Sequence, residues 1–255
     1  MYKSTATIVN VLLGCTLTGS MQSAYSAEYK STVSLITPTT QSKTISGFRG
    51  TTFVTGGADS TTHALYGISS RERSDNPCLV TTLKENINDS SDDTTPAKNL
   101  CGPNGATSST IKADFSDSSL VGGKRVFVTG IQVCMNNNKT RVKGYRLRGK
   151  GISDTGKLVS LSDGDDCSEV FDPKKGPEPQ QGSLEYRLCG GGITEPQAIR
   201  TNCDENDGWM KWAECDDNKL ATAAVLHFEA GNKPRSLVGI ALKCRGIKSG
   251  KSIAQ

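Results

Sequence analysis

Three times along the chain, an apolar run is broken by a glycine lodged between bulky neighbours. The stretches are ALYGISSRE at 64–72, RVKGYRLRG at 141–149 and SLVGIALKC at 236–244. In the middle copy VFVTGIQVCM reads as an outgoing strand, NNNKT as a polar turn and RVKGYRLRG as the return strand. Asn and Lys clustered between two apolar runs make a hairpin loop. The last copy repeats the plan with LATAAVLHFEA, GNKPR and SLVGIALKC. The first is looser, with TISGFRGTTF, TGGADSTT and HALYGISSR. The pattern predicts three hairpin repeats over about 44–72, 126–149 and 220–245. Gly47, Gly130 and Ala223 stand in the outgoing strands; Gly67, Gly144 and Gly239 stand in the return strands. Glycine weakens a strand interior, so one that recurs implies a bulge or a close backbone approach. The segments between copies, ENINDSSDDTTPAKN and SDGDDCSEVFDPKKGPEPQQG, are polar and read as long surface loops. No amphipathic helical stretch of useful length stands out, and the expected fold class is all-β.

Composition adds a constraint. Aromatics are 5% and hydrophobic residues 35% of 255 residues, a thin core supply that calls for covalent help. Nine cysteines can supply it. The N-terminus runs from Lys3 through the apolar TATIVNVLLGCTL to the small residues SAYSA, the order of a secretory signal. Cleavage after Ser26 makes 1–26 a leader and 27–255 a single all-β domain, secreted or periplasmic. Leu12-Leu13-Gly14-Cys15 also resembles a lipobox, which would make Cys15 a lipidated outer-membrane anchor. Either way eight cysteines remain for an oxidising compartment: Cys78, Cys101, Cys134, Cys167, Cys189, Cys203, Cys215 and Cys244. Cys78 with Cys101 and Cys203 with Cys215 would close local loops, and Cys134 with Cys244 would tie two repeats. No C-x-x-C occurs and there are two histidines, so neither a zinc site nor a cofactor is expected.

The opening AEYKSTVSLITP resembles the first strand of the vitelline membrane outer layer protein I family. GGADSTTHALYGISSR is similar to that family's Asp-bearing loop and following strand, and WMKWAECDDNKLATAAVLHFEA to its W-x-x-W, cysteine and outgoing-strand unit. The closing LKCRG also fits. The resemblance implies a β-prism: three antiparallel sheets about a pseudo-threefold axis, one per repeat. It also implies that the tryptophan pair caps the core, and it ties the chain loosely to egg coats and carbohydrate.

Catalytic chemistry finds little to stand on. There is no G-x-S-x-G elbow. His63 reads as a turn residue and His227 as a structural imidazole on a sheet surface. Asp163, Asp165, Asp166 and Glu169, or Asp204, Glu205 and Asp207, are carboxylates in polar loops that suit glycosidase chemistry or calcium only if held at set separations. Two binding candidates remain. Trp209 and Trp212, the chain's two tryptophans, fall within four residues in NDGWMKWAEC, beside Asp204, Asn206 and Asp207. An indole face takes the apolar side of a sugar ring; the structural alternative is the core cap. The strand KTRVKGYRLRGK carries Arg141, Lys143, Arg146 and Arg148 around Tyr145. Strict alternation would split these cations between two faces, unless a bulge at Gly144 realigns them. A net charge of +4 is too modest for a dedicated nucleic-acid binder. The expected function is non-catalytic recognition of a polysaccharide or glycoconjugate, with no nucleic acid and no membrane span. The alternatives are an envelope or coat protein, lipid-anchored through Cys15, and a secreted glycoside hydrolase.

Overall fold

The computed structural model describes residues 29–56, 59–73, 76–89, 91–96, 99–102, 105, 110–116, 125–153, 155–159, 184–187, 197–201, 203, 207–229 and 236–253. The leader with Cys15, Cys167, Cys189, Asp204, Asn206 and the carboxylates of 163–169 lie outside these residues. Among the described residues there are sixteen strands and no helix, so the chain is all-β as expected. They form three antiparallel sheets. One sheet draws on both ends of the chain: β1 (Tyr29–Gln41), β2 (Ser46–Gly47), β3 (Thr52–Gly56), β15 (Lys219–Phe228) and β16 (Leu237–Ile253). Its order is β1-β16-β15-β3, with β2 also on β16. A second sheet has the order β6-β5-β4-β7, from β4 (His63–Arg73), β5 (Asn76–Asn86), β6 (Asp92–Pro96) and β7 (Thr110–Asp114). The largest contains β8 (Val126–Met135), β9 (Val142–Ile152), β10 (Leu158–Val159), β11 (Leu184–Arg187), β12 (Gln197–Thr201), β13 (Gly208–Trp209) and β14 (Ala213–Glu214). There the order is β11-β12-β9-β8-β13, with β10 on β9 and β14 on β8.

Each sheet is centred on one hairpin, and the three hairpins share two irregularities at the same spacing. The outgoing strand carries one extra residue: Tyr66 between Leu65 and Gly67, Thr129 between Val128 and Gly130, Thr222 between Ala221 and Ala223. Further along, the return strand carries the extra residue, at Cys78, Lys143 and Val238. Bulges of this kind bend a strand and switch which residues face inward.

The first repeat is therefore not the hairpin expected over 44–72. Residues 44–53 supply β2 and edge strand β3 to the sheet of β15 and β16, while β4 pairs with β5 and β7. Gly67 belongs with Gly130 and Ala223 in an outgoing strand, and Gly47 lies opposite Gly239. The similar phrases mix two kinds of glycine. A side chain on Gly67 would collide with Asp114 on β7, whereas one on Gly239 would strike the Phe48 carbonyl where the chain crosses from β2 toward β3. The return strand β5, NPCLVTTLKEN, has no glycine, so its apolar–glycine frame is missing and its kinship with β9 and β16 is hidden.

The inner faces of all three sheets meet in one core. Leu65, Ile68, Val80, Val128, Ile131, Val133, Tyr145, Leu147, Leu226, Phe228, Ile240 and Leu242 are among the residues packed there. Tyr145 is fully buried and donates from its hydroxyl to the Ile68 carbonyl at 3.1 Å, tying β9 to β4. That satisfies the one polar atom of the side chain. It also removes Tyr145 from any ligand-binding role.

Disulfides supplement the core. Cys78 bonds Cys101 as expected. Among the described residues the other two bridges are Cys134–Cys203 and Cys215–Cys244, not Cys203–Cys215 or Cys134–Cys244. The reason is placement: Cys134 lies in β8 beside the segment leading to β13, while Cys215 follows β14 where that edge meets β16. Cys215–Cys244 thus staples two sheets across a separation of 29 residues. Replacing both cysteines by serine is expected to cost about 2–5 kcal/mol in urea unfolding, the usual loss for a native bridge in a small secreted domain.

Candidate functional site

The bulge at Lys143 decides where the basic strand points. Val142, Tyr145 and Leu147 face the core, while Arg141, Lys143, Arg146, Arg148 and Lys150 are all half-buried on the outer side. Without the extra residue, Arg141 and Lys143 would face opposite to Arg146 and Arg148. The realignment near Gly144 is the one the sequence left open.

Alongside β8 runs the segment from β13 to β14. Trp209 pairs with Cys134, Ala213 with Ile131 and Glu214 with Gly130, and the Met210 and Cys215 amides donate to Val133 and Thr129 carbonyls. This brings the tryptophan pair over the basic strand. The Arg146 guanidinium sits 4.6 Å from the Trp209 ring centre and 5.3 Å from that of Trp212; Arg148 sits 4.6 Å from Trp212. Tryptophan and arginine therefore interleave in one ladder, two candidates merged into one site. Each such contact is worth about 0.5–2 kcal/mol, more where water is excluded. Arg146 is held from behind, donating from Nε to Gln132 Oε1 at 2.6 Å, while the Gln132 amide donates to the Met210 carbonyl. Arg148 ion-pairs with Glu214. Gly130 makes this geometry feasible, because a side chain there would overlap the Arg148 stem lying across it.

The ladder is capped by an accessible ring. Trp209 is 37% exposed, one of the few large hydrophobic residues so open. At the other end, Arg148 and Glu214 form the wall of a cleft of about 180 Å³. Thr129, Lys150, Asp216, Asp217, Asn218 and Lys219 also line it. Of these, Asp216 is held by Lys219 at 2.8 Å and also by the exposed Lys43, which is not part of the lining, at 3.3 Å. Those two cations also draw the Asp216 carboxyl below its ordinary range, the Lys219 hydrogen bond contributing most.

Asp207 lies beside the Cys134–Cys203 bridge, its carboxylate and both sulfurs within 4.8 Å of one another. Sulfurs bonded to each other offer no thiolate to a metal. His63 takes part in a turn with Ser60 and Thr62. His227 is not on a sheet surface: it is 4% exposed, and neither ring nitrogen has a hydrogen-bond partner. Burial, and secondarily the charge of Arg49, holds its pKa below the ordinary histidine value. Sequence reading missed Asp59. Its carboxylate receives Arg245 Nε at 3.0 Å and a terminal guanidinium nitrogen at 2.9 Å, with hydroxyls from Thr222 and Thr39. Burial alone would raise its pKa, but these donors and the Arg245 charge outweigh it and hold the carboxyl at about 2. The only trace in the sequence is one acid in a Gly/Ser/Thr loop.

No family model matches the chain, and no curated protein matches it. Among solved structures, the Calystegia sepium agglutinin aligns with 83% of this chain and 99% of its own, at a TM-score of 0.38 and 12% identity. Nothing about a ligand follows from a likeness this slight, and no family match stands behind the vitelline membrane outer layer resemblance. Among the described residues no helix is long and apolar enough to cross a membrane.

Two measurements check the site. With only Trp209 and Trp212 in the chain, intrinsic emission reports the ladder. Arg146→Ala is expected to shift it to the red and lower stability by about 1–2 kcal/mol; unchanged emission would mean the stack does not persist in solution. His227 has a depressed folded-state pKa, so the unfolded chain binds more protons near and below pH 6.5. Stability should then fall as pH drops from 7 toward 5, and His227→Phe should flatten that part of the melting profile.

Proposed function

We propose that this chain is a secreted, non-catalytic carbohydrate-binding protein, built as a β-prism of three sheets about a pseudo-threefold axis. The shared pair of bulges in the three hairpins supports the architecture, since each sheet repeats the same core hairpin. The disulfides suit an oxidising compartment.

One observation carries the binding reading. Trp209 offers an open ring whose neighbours are already ordered, because Arg146 stacks against it and Gln132 fixes Arg146. A prearranged aromatic surface loses little freedom when a sugar ring settles on it. The cleft next to Arg148 and Glu214 offers donors and acceptors for hydroxyl groups within the same patch. The cleft lining is mostly charged and polar, so the apolar contact is left to Trp209, which lies outside it. Arg146 and Arg148 act here mainly as supports, with their guanidinium groups committed to indole rings, Gln132 and Glu214.

The test is a broad glycan and polysaccharide panel probed with the mature chain and with Trp209→Ala, both checked for the same melting temperature. Binding by the parent, weakened about tenfold in the variant, is the expected result. A panel with no binder, or equal binding by the variant, sinks the proposal.

A further inference from the structure

A second hollow, of about 530 Å³, lies where the tips of two hairpins meet the chain crossing from β2 to β3. Lys139 and Thr140 come from the β8–β9 tip, Glu229 and Ser236 from either side of the β15–β16 turn, and Phe48 and Val238 supply the apolar part. Each contributor is held through its backbone. At the first tip the Asn136 side-chain carbonyl accepts the Thr140 and Arg141 amides at 2.8 and 3.0 Å, and Lys139 takes a left-handed φ of 53°. At the second, the Glu229 amide donates to the Ser236 carbonyl at 3.0 Å. The Phe48 amide donates to the Val238 carbonyl at 2.8 Å, and Gly50 lies so close to the Phe228 backbone that a side chain there would collide with it. The crossing chain is thus pinned at and beyond Phe48, which is nevertheless 42% exposed.

The lining suits one kind of ligand. Lys139 and Glu229 carry opposite charges, and among the described residues neither has an ion-pair partner. A simple anion placed here would meet Glu229, and a simple cation would meet Lys139. A hydroxyl group both donates and accepts, so it can satisfy either one, and Thr140 as well. A sugar ring has that make-up, with an apolar side to lie on Phe48 and hydroxyls around its edge. The volume falls within the usual range of small-ligand pockets, about 300–1,000 Å³.

We infer that this hollow is a second glycan site, separate from the tryptophan ladder. No residue of the one belongs to the other. Both are nonetheless fixed to β8 at a single residue. The Val133 amide donates at 2.8 Å to the hydroxyl of Ser46, two residues before Phe48, and the Val133 carbonyl accepts at 2.9 Å the amide of Met210, which follows Trp209. Resting on the glycan reading above, the chain then carries two sugar-binding surfaces in a set relation. One molecule can grip two stretches of a polysaccharide, and the linked contacts reinforce each other.

The experiment titrates the full mature chain by calorimetry with tetraoses of glucose, mannose, galactose and N-acetylglucosamine, and with free phenylalanine, a zwitterion that has an apolar ring. Phe48→Ala, Glu229→Gln and Trp209→Ala run in parallel, each first checked for unchanged melting. Glu229 is exposed and its backbone bond to Ser236 survives the change, so that variant tests the hollow even if Phe48→Ala unfolds. The expected result is two sugar sites on the parent chain and one each in Phe48→Ala and Trp209→Ala. Glu229→Gln should weaken the Phe48 site about tenfold. Added salt should hardly alter that site, since a neutral sugar has no charge to screen. A single site that needs Trp209 and ignores Phe48 and Glu229 would overturn the inference and leave the glycan reading standing. A single site that needs Phe48 and ignores Trp209 would keep the hollow as a sugar site and overturn the earlier reading. Phenylalanine bound there in place of every tetraose would overturn the inference, and so would the absence of any binding.

Discussion

One extra residue in an outgoing strand governs most of what this chain does. A strand pairs its residues two by two, and an inserted residue exchanges inside for outside from that point on. At Tyr66, Thr129 and Thr222 the insertion falls at the same place in three hairpins, and a second insertion in the return strand comes at the same distance beyond it. Each hairpin can therefore present a continuous apolar face to the common core despite polar residues that break strict alternation. The core is small in aromatic content, and it closes because three bent surfaces share it instead of each sheet covering itself.

The same device makes the outer surface. Because Lys143 is surplus to the pairing, Arg141 and three cations of β9, Lys143, Arg148 and Lys150, join Arg146 on one side while Tyr145 and Leu147 go inward. Cations crowded on one face repel one another unless something intervenes. Here indole rings, a glutamine and a glutamate stand between them. The cost of gathering those charges is offset locally, and what remains accessible is an aromatic edge bordered by polar groups. A fold rule and a surface property thus have one origin.

Strand content, the hairpins around Asn136–Arg141 and after Phe228, and the Cys78–Cys101 bridge were legible, because alternation, turn chemistry and short spacing are local signals. The first repeat was misassigned because a glycine frame records a close approach without saying what approaches, and Gly67 and Gly239 make room for different neighbours. Disulfide partners depended on which strand lies beside which, a nonlocal matter that residue spacing does not carry. The tryptophan pair and the basic strand were each visible as candidates. Their meeting was not, since 60 or so residues of chain and the pairing of β13 with β8 intervene. Asp59 went unnoticed for the same reason: Thr39, Thr222 and Arg245 are scattered over the whole sequence.

The sheet of β1, β3, β15 and β16 joins the two ends of the described chain, with Tyr29 across from Ile253. Two of the sheets can be assembled from consecutive segments as they leave the ribosome, but this one has to wait. β1 and β3 are made first and spend the synthesis of some 160 residues without their partners, offering unpaired amides and carbonyls to any neighbouring strand. Such long-range closure is the slow kind. It gives this part of the molecule a definite order of completion, in which the last of the described strands acts as a latch on the first of them, and it marks that interval as the one in which a growing chain most needs protection from its own kind.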